Sequence, residues 1–294
     1  MKVYLHLCRP QQWIKNFIVF GPLLFGGHLH HSESIAITAL VFLCFSLLGS
    51  SVYILNDICD RDLDRLHPQK ASRPLASGAV TIASAAALAL LLMLTSLALT
   101  LLLQLQGQML SLLSFLLFYL VVNLLYSLKL KHYAIIDISL IALGFVIRVL
   151  AASFAIDVEP SRWLIIMTFL LALFIALSKR RSDAIILAQS EVPLRLRPSM
   201  DGYSIDFINT SMNMMAGVTI LAYILYTVSE SVTSRSGGEY FYLSSLWVVI
   251  GFLRYLQLTI VYNRSGSPTK LFLKDLPLQL VVLAWIATFI WILR

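Results

Sequence analysis

Long apolar stretches alternate with short polar ones along the whole chain. Most of the apolar stretches have the roughly 20 residues that a helix needs to cross a bilayer. Nine such segments are predicted, at roughly 16–30, 34–56, 80–103, 108–127, 133–155, 161–178, 209–230, 240–262 and 276–293. The first is short and contains Pro22, which favours a kinked or tilted helix. The pattern therefore predicts an all-α polytopic membrane protein.

Composition supports this interpretation. The chain has 294 residues, of which 59% are hydrophobic and only 13% are charged, too apolar for an ordinary soluble domain. It contains neither a hydrophilic block long enough for a separate domain nor a cleavable signal pattern, so we expect one membrane domain spanning 1–294. The three cysteines, Cys8, Cys44 and Cys59, are scattered, which predicts free thiols rather than disulfides or a zinc site.

The basic residues are distributed as membrane topology requires. The formal charge is +7, and most of the 22 Lys and Arg residues lie at the amino terminus or after the second, fourth, sixth and eighth segments. This predicts a cytoplasmic amino terminus and an external carboxyl terminus. It also favours membrane lipids over nucleic acid as the surroundings of the positive charge.

An acidic stretch follows the second apolar segment, where a membrane helix should reach water. It reads Asn-Asp-Ile-Cys-Asp-Arg-Asp-Leu-Asp from Asn56 to Asp64. If the helix continues, Asp57, Asp60 and Asp64 share a face about 60° wide, and Asp62 points elsewhere. Three carboxylates on one face repel one another unless a cation lies between them, and oxygen ligands suit Mg²⁺ that carries phosphates. The stretch predicts a magnesium diphosphate site at a membrane surface.

Such clusters can also be solvated helix ends or partners for nearby cations, and spacing alone leaves this alternative open. The residues that follow favour the metal site. Lys70 and Arg73 come within one short loop that ends in Arg-Pro-Leu-Ala-Ser-Gly. Both are cations able to hold phosphate oxygens.

The opening stretch carries Arg9, Trp13 and Lys15 just before the first apolar segment. Trp with basic residues is typical of an anchor at the membrane interface. Arg9 and Lys15 are also candidates for gripping a lipid phosphate.

A second polar region joins the fourth and fifth segments and includes Tyr126, Lys131, Asp137 and Arg148. Asp137 and Arg148 return to within about 20° of one helical face, ~16 Å apart along the axis. An ionised Arg at this depth should face the protein interior and meet an anion. That anion could be substrate or an acid of a neighbouring helix; Gly144, which leaves room for a close neighbour, favours a role at the site.

A third polar region follows the sixth segment, with Lys179, Arg180 and Asp183 as candidate site residues in a loop of about thirty residues. Three adjacent cations beside a membrane are also typical of a topology signal or of contact with anionic lipid. Asp201 and Asp206 lie downstream and are weaker candidates.

Together these motifs resemble the UbiA superfamily of intramembrane prenyltransferases. Asn56, Asp57, Asp60 and Asp64 fit its N-D-x-x-D-x-x-x-D pattern, and the nine-segment layout is similar over nearly the whole chain. The resemblance implies a UbiA-like bundle of nine transmembrane helices in a bacterial inner membrane. Its central cavity would open to the cytoplasmic side and hold Mg²⁺.

Finer features resemble one branch, represented by decaprenyl-phosphate phosphoribosyltransferase. The similar pieces are Arg9-Pro10, Gln12-Trp13, Lys15-Asn16, His67-Pro68, Lys70, Arg73-Pro74, Tyr126-Ser127, Lys131, Asp137, Gly144-Phe145, Arg148 and Lys179-Arg180-Arg181 with Asp183. Asp183 stands where we expect Glu, and the second D-x-x-x-D motif of aromatic prenyltransferases is absent from 179–206.

The resemblance to this branch implies a Mg²⁺-dependent enzyme that transfers 5-phosphoribose from 5-phosphoribosyl 1-diphosphate to a polyprenyl phosphate. Asp57, Asp60, Asp64 and Arg148 would be catalytic, and the three aspartates would be the metal ligands. The residues that would bind substrate are Arg9, Lys15, Asn56, Lys70, Arg73, Tyr126, Lys131, Asp137, Lys179, Arg180 and Asp183. The alternative enzyme moves a polyprenyl chain from its diphosphate to an aromatic acceptor. A transporter or a non-catalytic lipid-binding protein also fits the composition alone.

Overall fold

Helices form all the regular structure in the part of the chain that can be described. The computed structural model describes residues 2–26, 28, 31–66, 70–106, 109–188, 198–234, 238–264 and 268–292. The α-helices are α1 (Lys2–Cys8), α2 (Gly21–Phe25), α3 (Ser32–Cys59), α4 (Arg61–Leu66), α5 (Ile82–Leu99), α6 (Met109–Leu128), α7 (Ile136–Ala155), α8 (Arg162–Ala188), α9 (Ile205–Thr227), α10 (Glu230–Thr233), α11 (Ser245–Leu256), α12 (Pro268–Lys274) and α13 (Leu276–Ile292). Short 3₁₀ segments occupy Pro10–Phe20, Thr100–Gln106, Leu130–His132, Pro198–Gly202 and Gly238–Ser244, and a π turn occupies Gln257–Val261.

Seven helical stretches in the described residues are long and apolar enough to cross a membrane. They are Ser32–Cys59, Ile82–Leu103, Met109–Leu128, Ile136–Ala155, Arg162–Ala188, Ile205–Thr227 and Gly238–Val261. They match the second to eighth predicted segments. The ninth corresponds to Leu276–Ile292, an apolar helix of 17 residues. The expectation of an all-α polytopic membrane protein is confirmed.

Two segments differ from their predicted form. The first, at 16–30, is the end of the 3₁₀ segment Pro10–Phe20 followed by the five-residue helix α2, which starts with Gly21-Pro22. Proline is favoured in the first turn of a helix, so Pro22 marks the start of α2. The sixth segment, predicted to end at 178, continues as α8 to Ala188. Lys179, Arg180 and Asp183 therefore lie on a helix and not in a loop, because an i,i+3 ion pair between Arg180 and Asp183 supports another turn.

The chain forms two compact units, residues 1–165 and 166–294. In the first unit α3 packs against α5, α6, α7 and the 3₁₀ segment Pro10–Phe20. Small and polar residues allow these close approaches. Ser51 Oγ donates to the Ala89 carbonyl and Ser96 Oγ to the Cys44 carbonyl, both at 2.8 Å. These bonds fix α3, which carries the acidic motif, against α5.

In the second unit aromatic contacts join α8 to α11, with the Phe174 ring 5.0 Å from that of Phe252 and 5.1 Å from that of Tyr255. At the end of α11 and its π turn, the buried Arg181 of α8 bonds several acceptors. Its Nη1 donates to the Thr259 carbonyl at 2.5 Å, its Nη2 to Asn263 Oδ1 at 2.9 Å and its Nε to Asn209 Oδ1 at 2.8 Å. Arg181 thus donates to backbone and side-chain acceptors at the carboxyl end of a helix. One of the three adjacent cations, Lys179, Arg180 and Arg181, therefore has a structural role.

Candidate functional site

The acidic motif lies at a break between two helices. α3 ends at Cys59 and α4 begins at Arg61, yet Asp60 N still bonds the Asn56 carbonyl at 2.9 Å and Asp64 N the Asp60 carbonyl at 2.8 Å. Helical spacing is therefore kept through the motif. Asp57 and Asp64 are buried, at 2% and 3% exposure, whereas the Asp62 side chain is 88% exposed. As the periodicity predicts, Asp62 points away from the others.

One guanidinium lies between two of the carboxylates. Arg73 Nη1 is 3.1 Å from Asp57 Oδ1 and 2.5 Å from Asp64 Oδ2. Arg9 Nη2 also bonds Asp57, at 2.5 Å, and Lys70 Nζ is 3.7 Å from Asp64 Oδ1. Two buried carboxylates and three cations thus form one compact group, because neither sign of charge is stable alone in a water-poor site.

The third carboxylate has a separate partner. Lys131 Nζ forms an ion pair with Asp60 Oδ1, and Asn56 Nδ2 donates to Asp60 Oδ2 at 3.1 Å. Lys131 is buried in the 3₁₀ turn Leu130–His132 that links α6 to α7. The structure therefore brings the second predicted polar region against the first.

The loop after α4 is held by its own hydrogen bonds. Ser77 N bonds the Arg73 carbonyl at 2.8 Å and Val80 N bonds the Pro74 carbonyl at 3.1 Å. Arg65 Nε donates to the Ala76 carbonyl at 3.0 Å, and Gly78 adopts φ +81°, a conformation that glycine tolerates best. These contacts fix the backbone from which Arg73 reaches the carboxylates. His67 and Pro68 lie outside the described residues.

Asp57, Asp60 and Asp64 offer the oxygen donors that Mg²⁺ prefers. Among the described residues, no three His, Cys, Asp or Glu side chains are gathered as a ready metal site. Mg²⁺ in phosphate-handling sites, however, is usually bound by one or two carboxylates, waters and the substrate's own phosphates. Asp57 and Asp64 already share one cationic nitrogen, so their oxygens lie where a single cation can interact with both. The residues fit a Mg²⁺ ion that arrives with a diphosphate.

Arg148, in the middle of α7, is 5% exposed. Its Nε donates to Asn16 Oδ1 at 2.7 Å, its Nη1 to the Gly144 carbonyl at 2.7 Å and its Nη2 to the Tyr119 hydroxyl at 2.8 Å. The prediction that it faces the interior agrees with this burial. Within the described chain its hydrogen-bond partners are neutral, so the alternative of an ion pair with an acid of a neighbouring helix does not describe how Arg148 is held.

Tyr53 connects this region to the acidic group. It lies one turn before Asp57 on α3, and the Arg9 guanidinium lies 5.6 Å from its ring centroid. Lys15 and Arg148 both interact electrostatically with the Tyr53 side chain. Arg9 has φ 52°, uncommon outside glycine, immediately before Pro10. Burial raises the pKa of the neighbouring Cys8 thiol and keeps it protonated; all three cysteines are free.

The remaining predicted residues have the following positions. Tyr126 is half-buried near the end of α6, and Asp137 is fully buried in the first turn of α7, where its Oδ1 accepts from Ile138 N at 2.8 Å. In the second unit Lys179 is exposed, whereas Arg180 is 1% exposed and its Nη1 donates to Asp183 Oδ2 at 3.2 Å. Asp201 and Asp206 are both exposed.

Sequence reasoning missed Tyr53 and Tyr119 at this site, and it named Asn16 only as part of a motif, without a role. A usable signal was the pair Ser46 and Ser50, one turn apart in an apolar helix. Ser46 Oγ accepts from Asn16 Nδ2 at 3.0 Å, and Ser50 Oγ accepts from Trp13 Nε1 at 3.0 Å. Polar groups inside a membrane helix need polar partners, so this pair predicts that a polar segment packs on α3. It does not predict which segment.

The helices are long enough to cross a membrane, and a group of buried carboxylates and cations lies at the end of one of them, so the class of protein is an integral membrane protein with a charged site. The model of the UbiA prenyltransferase family matches residues 17–280. The chain belongs to this family and is a membrane-embedded transferase.

Curated relatives indicate which branch of the family this chain resembles. The chain is 30% identical over 280 residues to a protein of Corynebacterium glutamicum named decaprenyl-phosphate phosphoribosyltransferase, covering 95% of this chain and 82% of the relative. It is 31% identical over 284 residues to a Mycobacterium tuberculosis protein of the same name, covering 95% and 90%. The resemblance to the superfamily and to this branch is confirmed.

Solved structures show the same fold. A UbiA homologue from Archaeoglobus fulgidus bound to DMAPP and Mg²⁺ superposes with a TM-score of 0.70 at 20% identity, covering 99% of this chain and 98% of that one. The same homologue bound to GPP and Mg²⁺ gives 0.71 at 19% identity, covering 99% of both.

Proposed function

We propose that this enzyme transfers 5-phosphoribose from 5-phosphoribosyl 1-diphosphate to a polyprenyl phosphate and releases diphosphate. The observation that carries the choice of substrates is the name shared by relatives that match 95% of the chain at 30–31% identity. The geometry supports it. Arg9, Lys70, Arg73 and Lys131 contact the three carboxylates, and Lys15 and Arg148 add charge nearby. A donor with a 5-phosphate and an acceptor with its own phosphate supply the anions for these cations.

Asp57, Asp60 and Asp64 are the proposed metal ligands, with Asp57 and Asp64 already turned toward a common cation. Mg²⁺, when bound there, supplies neutralising charge for the leaving diphosphate. The cations that now pair with the carboxylates would exchange partners when substrate binds. Arg73, Lys70 and Lys131 then hold phosphate oxygens, and the carboxylates are released for the metal.

The chemical step needs little proton transfer. A phosphate oxygen of the acceptor attacks the anomeric carbon of ribose, and the bond from that carbon to the diphosphate oxygen breaks. The nucleophile is already an anion at neutral pH, so no general base is required. The side chains align two phosphate-bearing substrates and stabilise the charge that develops on the leaving group.

Other residues complete the proposed site. Arg148 stabilises phosphate charge, while Asn56 orients Asp60, and Arg9 and Lys15 bind a phosphate at the membrane surface. We assign substrate-binding roles also to Tyr126, Asp137, Lys179, Arg180 and Asp183. We propose that the whole chain, 1–294, is one transferase domain in the inner membrane, with nine membrane segments and the site on the cytoplasmic side.

The test uses purified protein in detergent with Mg²⁺. Labelled 5-phosphoribosyl 1-diphosphate is offered with a polyprenyl phosphate, and in parallel a prenyl diphosphate with 4-hydroxybenzoate. We expect ribose label to enter the lipid fraction only with the first pair, and chelation of Mg²⁺ to stop the transfer. If only the second pair reacts, the proposed substrates are wrong and the acidic group instead holds a prenyl diphosphate.

A further inference from the structure

Arg148 is a buried cation whose hydrogen-bond partners, in the part of the chain that the structure describes, carry no negative charge. Within the described residues, Arg148 is bonded by an amide oxygen, a carbonyl and a phenol, and aromatic rings surround it. Its Cζ lies 4.7 Å from the Tyr119 ring centroid, 5.3 Å from that of Phe145 and 5.6 Å from that of Phe45. These groups solvate a cation, but none of them cancels its charge. A guanidinium has five N–H donors, so three such bonds leave two for another acceptor.

The acceptor at Arg148 Nε is the side-chain amide of Asn16. Asn16 is 4% exposed, and its orientation is fixed because Arg148 can only donate, which requires Oδ1 to face Nε while Nδ2 faces Ser46 Oγ. An aspartate would occupy the same volume and form a charge-assisted bond in the same place. A purely structural Arg is stabilised best by such a carboxylate, because an uncompensated charge in a buried site is costly. The chain places an amide there.

The site around Arg148 also adjoins the acidic group. The Tyr53 ring centroid lies 5.6 Å from the Arg9 guanidinium, and the Tyr53 side chain interacts electrostatically with Arg148 and with Lys15, which is next to Asn16 in the chain. Arg9 in turn bonds Asp57. A second region of uncancelled positive charge therefore lies beside the first, whose cations are paired with carboxylates.

We propose that Asn16 is a positioning residue that, with Tyr119 and the Gly144 carbonyl, holds Arg148 in place by neutral contacts so that its charge stays available to a phosphate oxyanion of a substrate. This inference rests on the proposed function only in that the substrates carry phosphates. Donor and acceptor both do, so the shared chemistry is a phosphate oxygen, and kinetics must identify its source.

The test is Asn16→Asp, which keeps size and hydrogen bonding but gives Arg148 a counter-charge. We expect an unchanged or higher melting temperature together with a kcat/KM at least ten times lower. A rise in KM for the polyprenyl phosphate alone assigns the oxyanion to the acceptor, and a rise for 5-phosphoribosyl 1-diphosphate alone assigns it to the donor. Wild-type kcat/KM for both substrates would overturn the proposal, since a merely structural Asn16 predicts that result.

Tyr119→Phe is the second variant, since it removes one acceptor from Arg148 without changing charge. We expect a several-fold higher KM for the same substrate and a melting temperature only slightly lower, since one buried hydrogen bond is lost. If Asn16→Asp does not fold, this variant decides, and an unchanged KM contradicts the inference. Both variants are assayed with whichever substrate pair wild type uses. Failure of the proposed substrates therefore appears in the wild type, and failure of the positioning role appears only in the variants.

Discussion

At the scale of single residues, the acidic motif offers one aspartate as a control for another. Asp60 and Asp62 are two residues apart, but Asp60 pairs with the buried Lys131 whereas the Asp62 side chain is 88% exposed. One is proposed as a metal ligand and the other is not. The motif can therefore be tested by the same chemical change at both positions.

Asp60→Asn removes a proposed metal ligand and leaves Lys131 without its charge partner. We expect turnover to fall about 100-fold and the Mg²⁺ concentration for half-maximal rate to rise, with folded protein still recovered from the membrane. Asp62→Asn should keep wild-type turnover. Initial rates across a Mg²⁺ titration check both variants. Full activity in Asp60→Asn, or equal losses of activity in Asp60→Asn and Asp62→Asn, would contradict the assignment of Asp60 as a metal ligand.

Residue identities in the acidic group were largely predictable, because Asp57, Asp60 and Asp64 follow helical periodicity and Lys70 and Arg73 come soon after them in the chain. The pairing with Arg9 and Lys131 was not predictable in this way, because these residues lie 48 and 71 positions from their partners. The surroundings of Arg148 were not. Asn16 lies 132 positions from Arg148 and Tyr119 lies 29 positions from it. Which neutral groups meet a buried cation depends on how helices pack, and no local pattern encodes that. The role of each residue remains a prediction.

At the scale of elements, the carboxyl end of α11 depends on α8. Arg181 bonds the Thr259 carbonyl, Asn209 and Asn263, so it ties α8 to α9 and to the π turn that follows α11. Because Arg181 is buried, removing it leaves several acceptors unsatisfied.

Arg181→Met should destabilise the fold by about 3 kcal/mol, because buried charge-assisted bonds are lost while the volume is roughly kept. We expect the melting temperature in detergent to drop by roughly 5–10 °C. Lys179→Met is the matched control, since Lys179 is exposed on the same helix, and its melting temperature should stay near wild type. Equal melting temperatures for all three proteins would show that the bonds to Arg181 contribute little.

Element boundaries were predicted well where hydropathy decides them and poorly where other forces do. Periodicity and length gave the second to eighth segments within a few residues, except for the end of the sixth. Hydropathy placed the end of the sixth segment at the first charged run, yet Lys, Arg, Ser and Ala all continue a helix readily once it has started. α8 therefore runs ten residues further than its apolar part.

At the scale of the whole molecule, the charge distribution predicts orientation. The amino terminus, with Arg9 and Lys15, is expected in the cytoplasm and the carboxyl terminus outside. The family and the seven apolar stretches establish an integral membrane protein, while the orientation itself remains a prediction.

Alkaline phosphatase, which needs an oxidising compartment to fold, reports this orientation in a bacterial host. A fusion after residue 294 should be active, whereas a fusion in the α8–α9 connection, after residue 188, should be inactive. Normalised phosphatase activity is the measurement. The reverse pattern would place the acidic group on the outer side and contradict the proposed site.

One contact at the acidic group has a consequence for metal selectivity. Arg73 Nη1 already lies between Asp57 and Asp64, where a divalent ion would interact with both. A free divalent ion must displace Arg73 from both carboxylates, and Arg73 then has no anion to pair with. A metal–diphosphate complex instead offers Arg73 phosphate oxygens as new partners. The enzyme should therefore resist loading by stray divalent ions. Arg73→Gln should bind Mn²⁺ at least ten times more tightly than wild type in the absence of substrate, as measured by electron paramagnetic resonance titration, and unchanged affinity would argue against this competition.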